Sequence, residues 1–277
     1  SGRPTWDAPP TTAFRRMEEA DGVVDVAATW DCLYVVVRGE VWALGASNAY
    51  GQWGAGRDAP PGAWHRVRLP RGVCVRAMAG GVRHCLVAVD ERGQHVVYGW
   101  GQARHGELRR VPPTPPYVWY TPVVVHAWPA THASSLALGM HHTVIGAYAR
   151  GETELVAYGS NRRGQLDVPR GRRPGRWIPT CNWHTTLVWG DDVMEVYGAR
   201  QHGQGVGPGV PCRGAVQVSS GSEHSAMLRD GVVYGWGWDE HGSVGGGGAA
   251  VGAPRVLASE AEGVWTGYGT TWVKLRA

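Results

Sequence analysis

Phenylalanine and lysine are almost missing from this chain: Phe14 and Lys274 are the single examples, so arginine supplies 26 of the 27 basic residues. A P-loop or Schiff-base lysine is thereby excluded unless Lys274, near the C-terminus, serves. No apolar run approaches the roughly 18 residues of a membrane helix, so no membrane partner is expected. The five cysteines (Cys32, Cys74, Cys85, Cys181, Cys212) contain no C-x-x-C. An odd count without a signal peptide points to buried free thiols in a reducing compartment, the cytoplasm with the nucleus as a second location. The chain opens on Ser-Gly-Arg-Pro without an initiator Met, as a fragment would. A net charge of +4 is too small to argue for direct nucleic-acid binding.

Against these shortages stand 42 glycines, 18 prolines, 15 tryptophans and 10 tyrosines in 277 residues. Long helices have little material left, and an all-β chain with many tight turns is expected. Two short patterns alternate. The first is a small residue, two variable residues, then His, Thr or Cys leading an apolar strand. It starts at Thr29, Gly81, Gly139, Asn182, Gly221 and Gly267, with Cys32, His84, His142, Thr185, His224 and Thr270 in the fourth place. The second follows each of the first five. It is a β-branched and aromatic strand, a small residue (Ala46, Gly101, Gly159, Gly198, Gly237) and, five residues on, a closing Gly (Gly51, Gly106, Gly164, Gly203, Gly242). Between them lie hairpin turns such as Asp90–Gly93 and Arg229–Gly231, which supply the φ > 0 positions a tight turn needs.

Units of about 40–55 residues with short strands and Gly-rich loops are the signature of propeller blades. One domain over 1–277 is expected, with 1–21 irregular, five recognisable blades and a sixth inner strand near 267–275. The His or Thr opening each inner strand is expected to bond its own or the next blade.

The repeat resembles that of the regulator of chromosome condensation family, whose seven-bladed propellers carry a G-x-x-H-[TS] strand and a strand followed by G-x-N-x-x-G-Q-L-G. Gly159-Ser160-Asn161 to Gly164-Gln165-Leu166 is close to that consensus, and Asn48, Gly51, Gln52 and Gly54 match a second copy. A narrower resemblance is carried by Gly221–His224, Tyr234–Gly242 with its Trp236-Gly237-Trp238-Asp239-Glu240-His241-Gly242, and Thr270–Val273. These look like the last blade of the killer toxin insensitivity thirteen, or alpha-tubulin suppressor, family. Relative to that family about one and a half N-terminal blades are missing before residue 20. The resemblance implies a non-enzymatic adaptor. Its partner would be diphthamide biosynthesis protein three, also called killer toxin insensitivity eleven, a small acidic zinc-binding protein. The pair would support Elongator-dependent wobble-uridine modification of transfer RNA and diphthamide synthesis.

No G-x-S-x-G, H-E-x-x-H or dinucleotide motif occurs, and neither catalysis nor a cofactor is expected. Adjacent His141 and His142 would face opposite sides of a strand and could not share a metal; no metal site is expected. Gly245–Gly248 reads as a floppy loop, and Arg110–Tyr117 as an extended polyproline-type bridge. Two features suit a partner. Trp30, Arg83, His141, Trp183, Glu223 and Tyr268 precede the inner strands and are expected to gather near the axis, with Trp238 and Glu240, as an aromatic and charged platform. Arg162, Arg163, Arg170, Arg172, Arg173 and Arg176 form a basic loop that could steer an acidic partner. The alternative function is nucleotide exchange on a small GTPase, against which no β-wedge insertion is visible. A photoreceptor like the plant ultraviolet-B propeller is set aside because no G-W-R-H-T pentapeptide occurs.

Overall fold

The computed structural model describes residues 22–276 apart from 61, 191, 206–209 and 249; the irregular segment expected over 1–21 lies outside them. Among the described residues there are strands and no helix, and so none that could cross a membrane. Blade one is β1 (Val23–Ala28), β2 (Cys32–Val37), β3 (Glu40–Gly45) and β4 (His65–Arg66). Blade two is β5 (Cys74–Gly80), β6 (His84–Glu91), β7 (Gln94–Gln102) and β8 (Val118–Pro129). Blade three is β9 (Ala133–Leu138), β10 (His142–Ala149), β11 (Glu152–Gly159) and β12 (Gly171–Pro174). Blade four is β13 (Ile178–Cys181), β14 (Thr185–Trp189), β15 (Val193–Gly198) and β16 (Val210–Pro211). Blade five is β17 (Ala215–Ser220), β18 (His224–Arg229), β19 (Val232–Gly237) and β20 (Val251–Ala258). A two-stranded sheet, β21 (Ala261–Thr266) and β22 (Thr271–Leu275), follows. Each sheet is antiparallel and in sequence order, and among the described residues no sheet combines early and late strands.

The five-bladed all-β propeller agrees with the doubled sequence repeat, but one assignment changes. The strands that touch one another around the axis are β1, β5, β9, β13, β17 and β21. The His- or Thr-led strands lie second from the axis. The expected sixth inner strand is therefore β22, the second member of a pair. The hairpins between second and third strands carry two successive left-handed residues: Arg38-Gly39, Arg92-Gly93, Arg150-Gly151 and Asp230-Gly231, with φ between 46° and 81°. In blade one the partner of Cys32 is Gly45, not Ala46, and its loop is one residue longer.

Apolar faces pack blade against blade. Tyr34, Val36 and Trp53 meet Cys85, Val87 and Trp100 between blades one and two. Leu187, Trp189 and Met194 meet Met227 and Trp236 between blades four and five. Cys32, Cys85, Cys181 and Cys212 are buried, and burial pushes Cys32 and Cys181 up to about 12. Cys74 is exposed, because it opens β5 on an outward-facing position.

The blades are also stitched by side chains. His142 Nε2 donates to Thr186 Oγ1 of the next blade at 3.1 Å, and that hydroxyl donates to Gln165 O at 2.7 Å. His224 Nε2 repeats this with Thr271 (3.1 Å), which donates to Ser243 O (2.7 Å), and His84 Nε2 meets Thr143 at 3.0 Å. The histidines thus bond the following blade, through a hydroxyl. Burial lowers all three pKa values, His84 to about 4 and His142 to about 3.

The arginine-rich stretch is not one loop. Arg162 and Arg163 sit in the loop after β11, whereas Arg172 and Arg173 lie in the outermost strand β12, flanked by Arg170 and Arg176. Arg173 grips Glu195 of the next blade through both nitrogens (2.8 and 2.9 Å), 3.4 Å above the Trp177 ring. This occupied side chain is a blade clamp. Arg173→Lys, which loses the second bond and the planar stacking, should lower stability by about 1 kcal/mol in urea titrations; an unchanged midpoint would remove the clamp. The Pro-rich stretch turns rather than runs extended: Tyr117 N–H bonds Thr114 O at 3.1 Å just before β8. The glycine run is partly pinned, with Gly246 N–H on Asp239 Oδ2 at 2.7 Å.

Candidate interaction face

Every first-to-second-strand turn and every loop leaving a third strand lies at the same end of its blade, so these segments share one face. The turns interlock. Trp30 N–H donates to Val82 O (3.0 Å), Met140 to Trp183 O (3.0 Å), Trp183 to Ser222 O (2.8 Å) and Ser222 to Tyr268 O (3.1 Å). Such close approach needs glycine. A Cβ on Gly81 would lie 2.8 Å from Gly139 O, and one on Gly139 2.6 Å from Asn182 O.

Within the turns, two neighbouring positions point to different places. The residue after the small one is Trp30, Val82, Met140, Trp183, Ser222 and Tyr268; the next is Asp31, Arg83, His141, His184, Glu223 and Gly269. Trp30, Trp183 and Tyr268 come from the first position and converge on the axis. Ring centroids are 6.2 Å apart for Trp30–Trp183, 5.1 Å for Trp30–Tyr268 and 6.1 Å for Trp183–Tyr268. Trp30 is 60 % exposed, while Trp183 and Tyr268 are half-buried. Beneath them a cavity of about 240 Å³ is lined by Val82, Gly139, Trp183, Ser222 and Tyr268. Desolvation raises the Tyr268 phenol to about 12, so it is a neutral donor, 3.5 Å from Gly81 O.

Arg83, His141 and Glu223 are one residue further along and belong to an outer ring, contrary to the single axial platform expected. The reason is the alternation of side chains: a one-residue step turns them away from the axis toward the neighbouring blade's loop. The Arg83 guanidinium lies 3.8 Å over the Tyr50 ring. The His141 ring centroid is 4.6 Å from that of His105, and Glu223 accepts a very short bond from His202. Trp238 joins this ring, its N–H on Glu223 O at 2.9 Å and its indole 6.2 Å from His202 and 4.9 Å from His241. Glu240 is exposed beside it.

The loops share a plan that spacing alone concealed. Gln52 Oε1 accepts from Tyr50 N–H (2.8 Å), Gln165 from Arg163 (2.9 Å) and Gln204 from His202 (2.8 Å). Glu107 does the same with His105 N–H at 2.8 Å. His105, Glu107, His184 and His202 are members of the face that the sequence reading missed. Their signal was the aligned Gly-Gln pairs at 51–52, 164–165 and 203–204, with Gly-Glu at 106–107.

Residues 215–243 match the family model of the regulator of chromosome condensation (RCC1) repeat. The chain is 29% identical over 215 residues to the ultraviolet-B receptor UVR8 of Arabidopsis thaliana, covering 77% of this chain and 40% of the receptor. It is 27% identical over 288 residues to the secretion-regulating guanine nucleotide exchange factor of Bos taurus, covering 85% and 60%. It therefore spans less than two thirds of either relative. Among solved structures it resembles human WBSCR16 (TM-score 0.71, 20% identity, 92% of this chain and 72% of that one). It also resembles Prp20p of Saccharomyces cerevisiae (TM-score 0.70, 18% identity, 92% and 70%). The chain is a β-propeller that carries one regulator of chromosome condensation repeat at residues 215–243 and resembles these proteins in blade order.

Proposed function

We propose that the chain is a non-enzymatic adaptor whose axial face binds a small acidic zinc-binding protein of the diphthamide biosynthesis protein three type. It would thereby support Elongator-dependent transfer-RNA modification and diphthamide synthesis. The observation that carries a docking role is the exposed Trp30 held against Trp183 and Tyr268 over the axial cavity. Rigid aromatics at the centre of a face, ringed by charged groups, are the residues that dominate interface energy. The choice of partner rests on the resemblance at residues 221–242. A standard interface would cover about 800 Å² of this face.

In calorimetry with that partner, Trp30→Ala should weaken binding by about thirtyfold, or about 2 kcal/mol. Arg162 and Arg163, exposed on this face, should raise the on-rate, which falls as salt is added. Equal affinity of Trp30→Ala and wild type would move the interface elsewhere. No binding by wild type at tens of micromolar would end the adaptor reading. The second reading, exchange on a small GTPase, is favoured by the likeness to the bovine exchange factor. Accelerated release of bound guanine nucleotide from a small GTPase would support it.

A further inference from the structure

We propose that His105, Glu107 and His141 form a site for a divalent transition-metal ion of the zinc class, at the seam between blades two and three. One donor atom from each of the three lies within 4.8 Å of the others. His141 Nδ1 is 3.6 Å from Glu107 Oε1, close to the separation of two ligands on a tetrahedral ion with bonds near 2.0–2.1 Å. That nitrogen is buried and has no hydrogen-bond partner.

The arrangement follows from one substitution in the repeat. In the loops of blades one, three and four the residue after the closing glycine is Gln52, Gln165 or Gln204. Its oxygen ties the loop and its NH₂ is a donor, used in blade one on Asp31 Oδ1 at 2.7 Å. Glu107 keeps the tie through Oε2, on His105 N–H. Carboxylate for amide turns the other end from a donor into an anionic acceptor. That acceptor is almost completely buried and faces an imidazole nitrogen. The backbone bond on Oε2 then acts as the orienting partner that metal-binding carboxylates usually have. His105 comes from the same loop and His141 from the next blade, so the ion would bridge a blade seam. Two imidazoles and one carboxylate leave a fourth position open to water. Arg104 and Arg162 act on His105 and oppose a cation, so affinity should fall short of a closed four-ligand site. His141 lies 36 residues beyond His105, so spacing along the chain does not signal the pairing.

The test is calorimetric titration of the tag-free, chelator-treated chain with zinc chloride, with cobalt as an optical probe of geometry. One equivalent should bind, cobalt should show tetrahedral absorption bands, and zinc should raise the melting temperature. Glu107→Gln restores the residue used by three other loops and should fold normally. It should bind zinc at least about a hundredfold more weakly and lose the melting shift. His105→Ala, on the loop surface, should do the same. No saturable binding by wild type would overturn the site, as would variants that bind zinc as tightly as wild type.

Discussion

Acidification from pH 7 to 4.5 is expected to destabilise the fold by several kcal/mol, well before its carboxylates titrate. His84, His142 and His224 are buried at blade seams, with pKa values below the ordinary 6.5, His84 at about 4 and His142 at about 3. Desolvation is the leading cause in each. In the unfolded chain these imidazoles take protons as the pH falls through 6.5; in the folded chain they stay neutral. The unfolded state then binds more protons, so stability falls with pH across the interval from 6.5 toward 4. Each group contributes a slope approaching about 1.4 kcal/mol per pH unit. Urea midpoints followed by Trp fluorescence should be flat above pH 7.5 and drop steadily below 6.5. A midpoint unchanged down to pH 5 would mean that these histidines are not buried neutral. The carboxylates held below their usual range, Asp90, Glu107, Glu195 and Glu262, act in a separate window, with loss only as pH falls below about 4.5.

Gly139→Ala should cost about 3 kcal/mol or more, large for one methyl group. The new Cβ would meet Asn182 O at 2.6 Å and the His142 ring, so both the axial turn and the histidine bridge must shift. Gly252→Ala is the matched control. It lies in β20 with nothing within 4 Å of its Cβ and no left-handed φ. It should stay within about 0.5 kcal/mol of wild type. Denaturation of the two variants side by side measures the effect; equal midpoints would contradict the close approach of blades at the axis.

Much of the architecture was legible because its constraints are backbone constraints. Gly81, Gly139 and Gly221 recur where a neighbouring carbonyl comes close, and His84, His142 and His224 where a hydroxyl waits across the seam. Spacing along the chain does not encode radius, however. Nothing in the motifs distinguishes β5 from β6 as the strand nearer the axis, and so the His-led strands were placed one position too far in. Register was the second blind spot. Trp30 and Arg83 look equivalent as large residues before a strand, but they stand one residue apart in the aligned turns, which separates an axial cluster from a peripheral ring. Glu107 was visible as a departure from Gln52, Gln165 and Gln204, yet its partner His141 becomes a neighbour only when two blades are packed. Arg173 read as free charge because Glu195 lies in another blade.

Among the described residues the packed blade faces couple each sheet to the next, and the Trp30–Trp183–Tyr268 cluster ties the turns together across the axis. Among the described residues the two-stranded β21–β22 unit packs on blade five, and its Trp265 and Trp272 are about half exposed. Local opening should therefore begin there, and amide exchange should be fastest in β22 and slowest in β6, β10 and β14. Tyr268 belongs to this terminal unit. The aromatic cluster at the axis thus rests on Trp183 of blade four, Trp30 of blade one and one residue of the two-stranded sheet. A ligand seated on all three would protect the amides of β22, more than eighty residues in sequence from the nearest of those tryptophans.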